Sequence, residues 1–73
     1  MNAANESERL LRISAVFERA VDLFEGDVAA AVAWLNRPNR ALGHQTPLDF
    51  SGSALGAREV ENLIGRLDHG VFS

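Results

Sequence analysis

At 73 residues the chain holds one domain, near the lower size at which a hydrophobic core sustains itself, and its 47% hydrophobic content is that of a globular protein. Cysteine is absent, which excludes disulfides, thiol catalysis and cysteine-based zinc sites, and a net charge of −3 with interspersed acids and bases lacks the clustered basic footprint of a nucleic-acid binder. No apolar run approaches the roughly 18 residues of a membrane span, and Met1–Glu8 lacks the regions of a signal peptide, so no membrane partner and a cytoplasmic location are expected.

Residues 1–8 are expected as a disordered or frayed start, with Asn5 or Ser7 able to cap a first helix running to about Glu25. Leu10, Ile13, Phe17, Ala20 and Phe24 recur three and four apart, flanked by Val16, Val21 and Leu23. Arg12, Glu18, Arg19, Asp22 and Glu25 fall opposite, and Leu11 projects from that polar side. Gly26 supplies the left-handed residue that ends a helix, and Asp27 caps the next. The second helix, about Val28 to Asn36, places Val28, Ala31, Val32 and Leu35 on one side, and Pro38 forbids its continuation. Residues 36–46 form a loop with room for one helical turn around Arg40 to Leu42 before Gly43. Thr46-Pro47-Leu48-Asp49 is a compact helix start, with a capping threonine, proline at the first position and an acid in the first turn. That short helix stops by Gly52. The last helix starts at Ser53 or Ala57 and reaches His69, with Ala57, Val60, Leu63, Ile64 and Leu67 on one face. Gly70 ends it, leaving Val71-Phe72-Ser73 as a tail. No period of two persists, so no strand is expected. The apolar faces can be buried only against one another, which predicts an all-α fold, a compact bundle of three main helices plus one short helix.

Catalytic and metal chemistry find little support. His44 and His69 lie far apart, neither with a ligand at helical spacing, and Asp68 is turned about 100° from His69 on a helix, so no metal site is expected. The carboxylate pairs Glu59 and Glu61, or Asp22 and Glu25, sit on solvated faces without a cleft to shift them. Ser51 and Ser53 lack a histidine at a motif spacing, and Gly43, Gly52 and Gly56 read as punctuation rather than a phosphate loop. No catalytic residue and no cofactor are expected, and the chain is read as a non-enzyme. The outer face of the last helix, Arg58, Asn62, Gly65 and His69 with Arg66 beside it, is only mildly basic for a recognition helix. It suits a protein partner better. Gly65 lies mid-helix away from the core stripe, where it costs about 1 kcal/mol relative to alanine unless another backbone approaches closely. Trp34 is half core and half surface by position, either closing the bundle or anchoring an interface. The tail exposes Val71 and Phe72 unless it folds back or is bound.

The ordered series Ala31-Val32-Ala33-Trp34-Leu35-Asn36-Arg37-Pro38-Asn39, then Ala41-Leu42-Gly43, then Thr46-Pro47-Leu48-Asp49, resembles the toxin-binding domain at the C-terminal end of Xre/MbcA/ParS-type antitoxins. Gly56, Val60, Leu63-Ile64-Gly65-Arg66-Leu67 and His69-Gly70-Val71 continue the match, as does Ala20-Val21-Asp22-Leu23-Phe24 upstream. The resemblance covers residues 9–73 and implies a type II antitoxin module that neutralises a cognate RES-domain, NAD-degrading toxin by covering or plugging its active site. The partner-binding surface expected on that basis comprises Trp34, Pro38 and Asn39 with Arg58, Asn62, Gly65, Arg66, His69, Gly70, Val71, Phe72 and Ser73. Two features depart from the family. Its members commonly carry a helix-turn-helix domain upstream, whereas about eight residues precede the first helix here, so DNA binding is not carried over. His44 stands where the family often has a second glycine. A homodimer is a further expected partner, and the competing function is a small homo-oligomeric or DNA-associated regulatory protein without a toxin.

Overall fold

The computed structural model describes residues 2–70, with side chains for 6–69. Its elements are α1 (Asn2–Leu23), α2 (Val28–Leu35), a 3-10 turn (Arg40–Leu42), α3 (Pro47–Phe50) and α4 (Ala54–Gly70). The expected all-α bundle of three main helices and one short one is what forms. Among the described residues, extended backbone pairs only in an isolated bridge between Asn39 and Gln45.

The ends of α1 differ from expectation, for local reasons. The helix starts at Asn2, so Asn5 and Ser7 lie inside it and residue 8 marks no break. Nothing between residues 2 and 9 is glycine or proline, and alanine, glutamate and arginine there favour helix. At the other end α1 stops at Leu23, two residues early. The Gly26 amide donates to the Val21 carbonyl at 2.9 Å and the Glu25 amide to Asp22 at 3.0 Å. That pair of bonds is a Schellman closure, and it places Glu25 in the left-handed region at φ 55, with Gly26 following at φ 90. A glutamate thus stands where glycine is favoured.

The remaining caps follow the sequence. Asp27 accepts from the Ala30 amide at 3.1 Å to start α2, and Thr46 accepts from Asp49 at 3.0 Å to start α3, with Pro47 at its first position. Ser53, not Ala57, starts α4, its hydroxyl accepting from the Gly56 amide at 3.0 Å.

The core is built from Val16 and Ala20 of α1, Ala31 and Leu35 of α2, Leu42 of the 3-10 turn, and Ala57, Val60, Leu63 and Ile64 of α4. Phe17, Val21, Leu23, Phe24, Trp34, Leu48 and Phe50 pack around it, half-buried. Several residues of the expected apolar stripes lie outside. Leu10 is 65% exposed, and Val28, Val32 and Leu67 are also exposed. For Leu10 the cause is length. At 1.5 Å per residue the eight-residue α2 spans about 12 Å, against about 33 Å for α1. Folding back from α1's C-terminal turn, α2 covers only that end of the stripe. Arg12 departs in the opposite sense. Expected on the solvated face, it is half-buried, and its Nη2 donates to the Gly52 carbonyl at 3.2 Å. Its Nε is buried without a hydrogen-bond partner.

That bond sets the direction of α4. Gly52, just before α4, is bonded by Arg12 from the middle of α1, while Ile64, Gly65, Asp68 and His69 adjoin Ala15, Glu18, Asp22 and Leu23 towards its C-terminus. The two long helices therefore run the same way. Gly56, expected as punctuation, has a different task. It is buried in the first turn of α4, and a Cβ there would overlap the Phe50 carbonyl oxygen at the end of α3. Only glycine lets α3 and α4 close this tightly.

Candidate protein-binding surface

Of the residues weighed for catalysis, the two serines hold structural roles. Ser51 is fully buried and its hydroxyl donates to the Pro47 carbonyl at 2.7 Å, closing α3. Ser53 caps α4. His44 lies exposed in the loop, 25 positions before His69 in the chain. Asp68 and His69, neighbours on α4, approach to 3.7 Å between Oδ2 and Nε2, with side chains 59% and 85% exposed. Among the described residues no group of three histidines or acids is placed to hold a metal ion. No described helix is long and apolar enough to cross a membrane.

A groove of about 320 Å³ lies between the C-terminal halves of α1 and α4. Leu23, Ile64 and Ala15 line it with apolar surface. Glu18, Asp22 and Asp68 supply acids, Arg19 and His69 bases, and Gly65 leaves its α4 side bare. A Cβ at Gly65 would meet nothing within 4 Å, so among the described residues no other element makes the close approach that a mid-helix glycine permits. The space above it is open to another molecule.

Of the residues expected to bind a partner, Gly65 and His69 line this groove. Arg58, Asn62 and Arg66 are exposed on α4, as the helical wheel required. Trp34 is half-buried and packs against the core, as its bundle-closing role requires. Pro38 is exposed, whereas the Asn39 side chain accepts from the Ala41 amide at 2.9 Å and caps the 3-10 turn. The same loop is tied by the Asn39 amide to the Gln45 carbonyl at 3.0 Å and the His44 amide to the Asn39 carbonyl at 2.9 Å. Gly70 closes α4, and Val71, Phe72 and Ser73 lie outside the described residues. The α1 wall, from Ala15 to Leu23, was not anticipated. Periodicity showed Glu18, Arg19 and Asp22 to be solvated but not that α4 would lie alongside them.

Comparison with known proteins bears on this surface. Residues 19–70 match the family model described as the antitoxin Xre/MbcA/ParS C-terminal toxin-binding domain. A protein of Yersinia enterocolitica serotype O:8 / biotype 1B named Antitoxin Xre is 50% identical over 68 residues, 93% of this chain and 46% of that protein. A second Antitoxin Xre, from Photorhabdus laumondii subsp. laumondii, is 47% identical over 70 residues, 96% of this chain and 47% of that protein. The chain spans about half the length of these curated relatives. No solved structure matches it significantly.

Proposed function

This chain belongs to the antitoxin Xre/MbcA/ParS C-terminal toxin-binding domain family, and from that premise we propose that it neutralises a cognate RES-domain, NAD-degrading toxin by covering or plugging its active site. The function is one of binding rather than catalysis. One observation carries the reading: the family match takes in the α4 wall of the groove and Arg19, Asp22 and Leu23 of its α1 wall, and Gly65 leaves that groove open among the described residues. A partner segment crossing Gly65 can come closer to the α4 backbone than any other residue there would allow. Around it, Arg58, Asn62, Arg66 and His69 supply exposed polar groups, the mixture of apolar floor and polar margin found at protein interfaces. Pro38, Trp34 and the segment Gly70 to Ser73 complete the proposed contact set, with the tail as the part that enters the toxin's cleft.

The test is co-expression with a RES-type toxin encoded beside this gene, following growth and cellular NAD. The intact chain is expected to restore both. Gly65→Leu, which fills the groove without touching the core, is expected to weaken toxin binding about tenfold or more while helicity stays unchanged. Deleting Val71 to Ser73 separates the two parts of the surface. Loss of inhibition with binding retained assigns plugging to the tail, and unchanged inhibition removes the tail from the mechanism. No rescue by the intact chain would overturn the proposal.

A further inference from the structure

The α1–α4 groove holds an imbalance of charge that the described chain leaves unanswered. Three carboxylates, those of Glu18, Asp22 and Asp68, line it with one arginine and one histidine. Asp68 takes His69 at 3.7 Å, but among the described residues no base closes on Glu18 or Asp22, and both are exposed. These two stand one turn apart on α1, a spacing at which like charges repel and disfavour the helix. Beside them Ala15, Leu23 and Ile64 give the groove apolar surface, and Gly65 leaves its α4 side bare. Two acids a turn apart over hydrocarbon suit one kind of side chain. A guanidinium is flat, carries five donors in a fixed fork and holds its water weakly, whereas an ammonium is compact and keeps its hydration. The guanidinium can span both carboxylates while its face rests on the apolar floor.

We propose that Glu18 and Asp22 receive a phosphate-binding arginine of the toxin, standing in for the diphosphate of NAD. The proposal rests on the function assigned above and names what the groove grips. A protein that degrades NAD has to hold the dinucleotide's diphosphate, and cationic side chains, arginine above all, perform that task. Covering such a cleft strips water from those cations, and a buried cation left without an anion is strongly unfavourable. The covering surface must therefore bring carboxylates of its own. The toxin segment that bears the arginine crosses Gly65, whose missing side chain lets the guanidinium reach across to α1. Chain and dinucleotide then contend for the same cation, and the acids of the groove do by charge what a plug does by shape.

Calorimetric titration of the RES-type toxin with the intact chain, with and without inorganic pyrophosphate, tests the proposal. Pyrophosphate occupies only the phosphate subsite, and it is expected to raise the apparent dissociation constant well beyond what sodium chloride does at equal ionic strength. Glu18→Gln with Asp22→Asn keeps the side-chain shapes, so circular dichroism is expected to be unchanged while the dissociation constant rises tenfold or more. Glu6→Gln with Glu8→Gln removes the same charge from exposed positions outside the groove and is expected to change it about twofold or less. Capture indifferent to Glu18 and Asp22, equal losses from both pairs, or pyrophosphate acting only as salt would each overturn the arginine assignment while leaving toxin binding in place. An intact chain that captures no toxin would instead overturn the functional reading, and this assignment with it.

Discussion

Two residues hold backbone conformations that their side chains disfavour. Glu25 at φ 55 and His44 at φ 69 both occupy the left-handed region, which crowds Cβ against the following carbonyl. Neither can relax, because Glu25 sits inside the closure of α1 and His44 follows Gly43 in a loop pinned by Asn39. Replacing either by glycine removes the crowding and adds disorder to the unfolded chain, leaving a net gain of roughly 0.5–1 kcal/mol. For a domain this small that is a rise in melting temperature of about 2–8 °C, readable by circular dichroism. A fall on either substitution would show that the side chain makes a compensating contact. The remaining glycines divide sharply. Gly56→Ala must displace the Phe50 carbonyl, so it is expected to cost about 3 kcal/mol or more. Gly65→Ala meets nothing and is expected to stabilise α4 by up to about 1 kcal/mol. If it does so while weakening partner capture, stability and binding oppose each other at that residue.

The helices begin where short polar side chains can accept an amide. Ser53→Ala removes the acceptor for Gly56 and is expected to cost about 1 kcal/mol in a urea melt. A negligible change would mean that water replaces the hydroxyl. These starts were legible in the sequence because a cap is local: Asp27, Thr46 and Ser53 act within three residues of themselves. The core was legible too, since Val16, Ala20, Ala31, Leu35, Val60 and Leu63 recur at the helical period. What periodicity cannot supply is how far a neighbour extends. Leu10 and Phe17 occupy the same arc of α1, and only the shortness of α2 leaves one exposed and the other half-buried. Arg12 is misplaced by the same reasoning, because a long side chain from the edge of a polar arc can reach a carbonyl on another element. The groove was half legible. Gly65 and His69 stand out on the α4 wheel, whereas Ala15, Glu18, Asp22 and Leu23 become a wall only when α4 settles beside them.

At the scale of the whole molecule, the shared direction of α1 and α4 has an electrical consequence. Peptide dipoles add along a helix, leaving roughly half a negative charge at its C-terminal end. Helices running the same way place those ends together, near Leu23 and Gly70, where Asp22 and Asp68 add full charges. The molecule is thereby polarised, with its negative pole at the mouth of the groove. A partner surface with excess arginine or lysine would be drawn in from solution before any contact forms. Stopped-flow association with the toxin is accordingly expected to slow as salt is raised, and Asp22→Asn with Asp68→Asn to flatten that dependence. A rate indifferent to ionic strength would mean that the pole steers nothing. The N-terminal ends of both helices form the opposite, positive pole, so a basic partner is turned towards the end where both helices point.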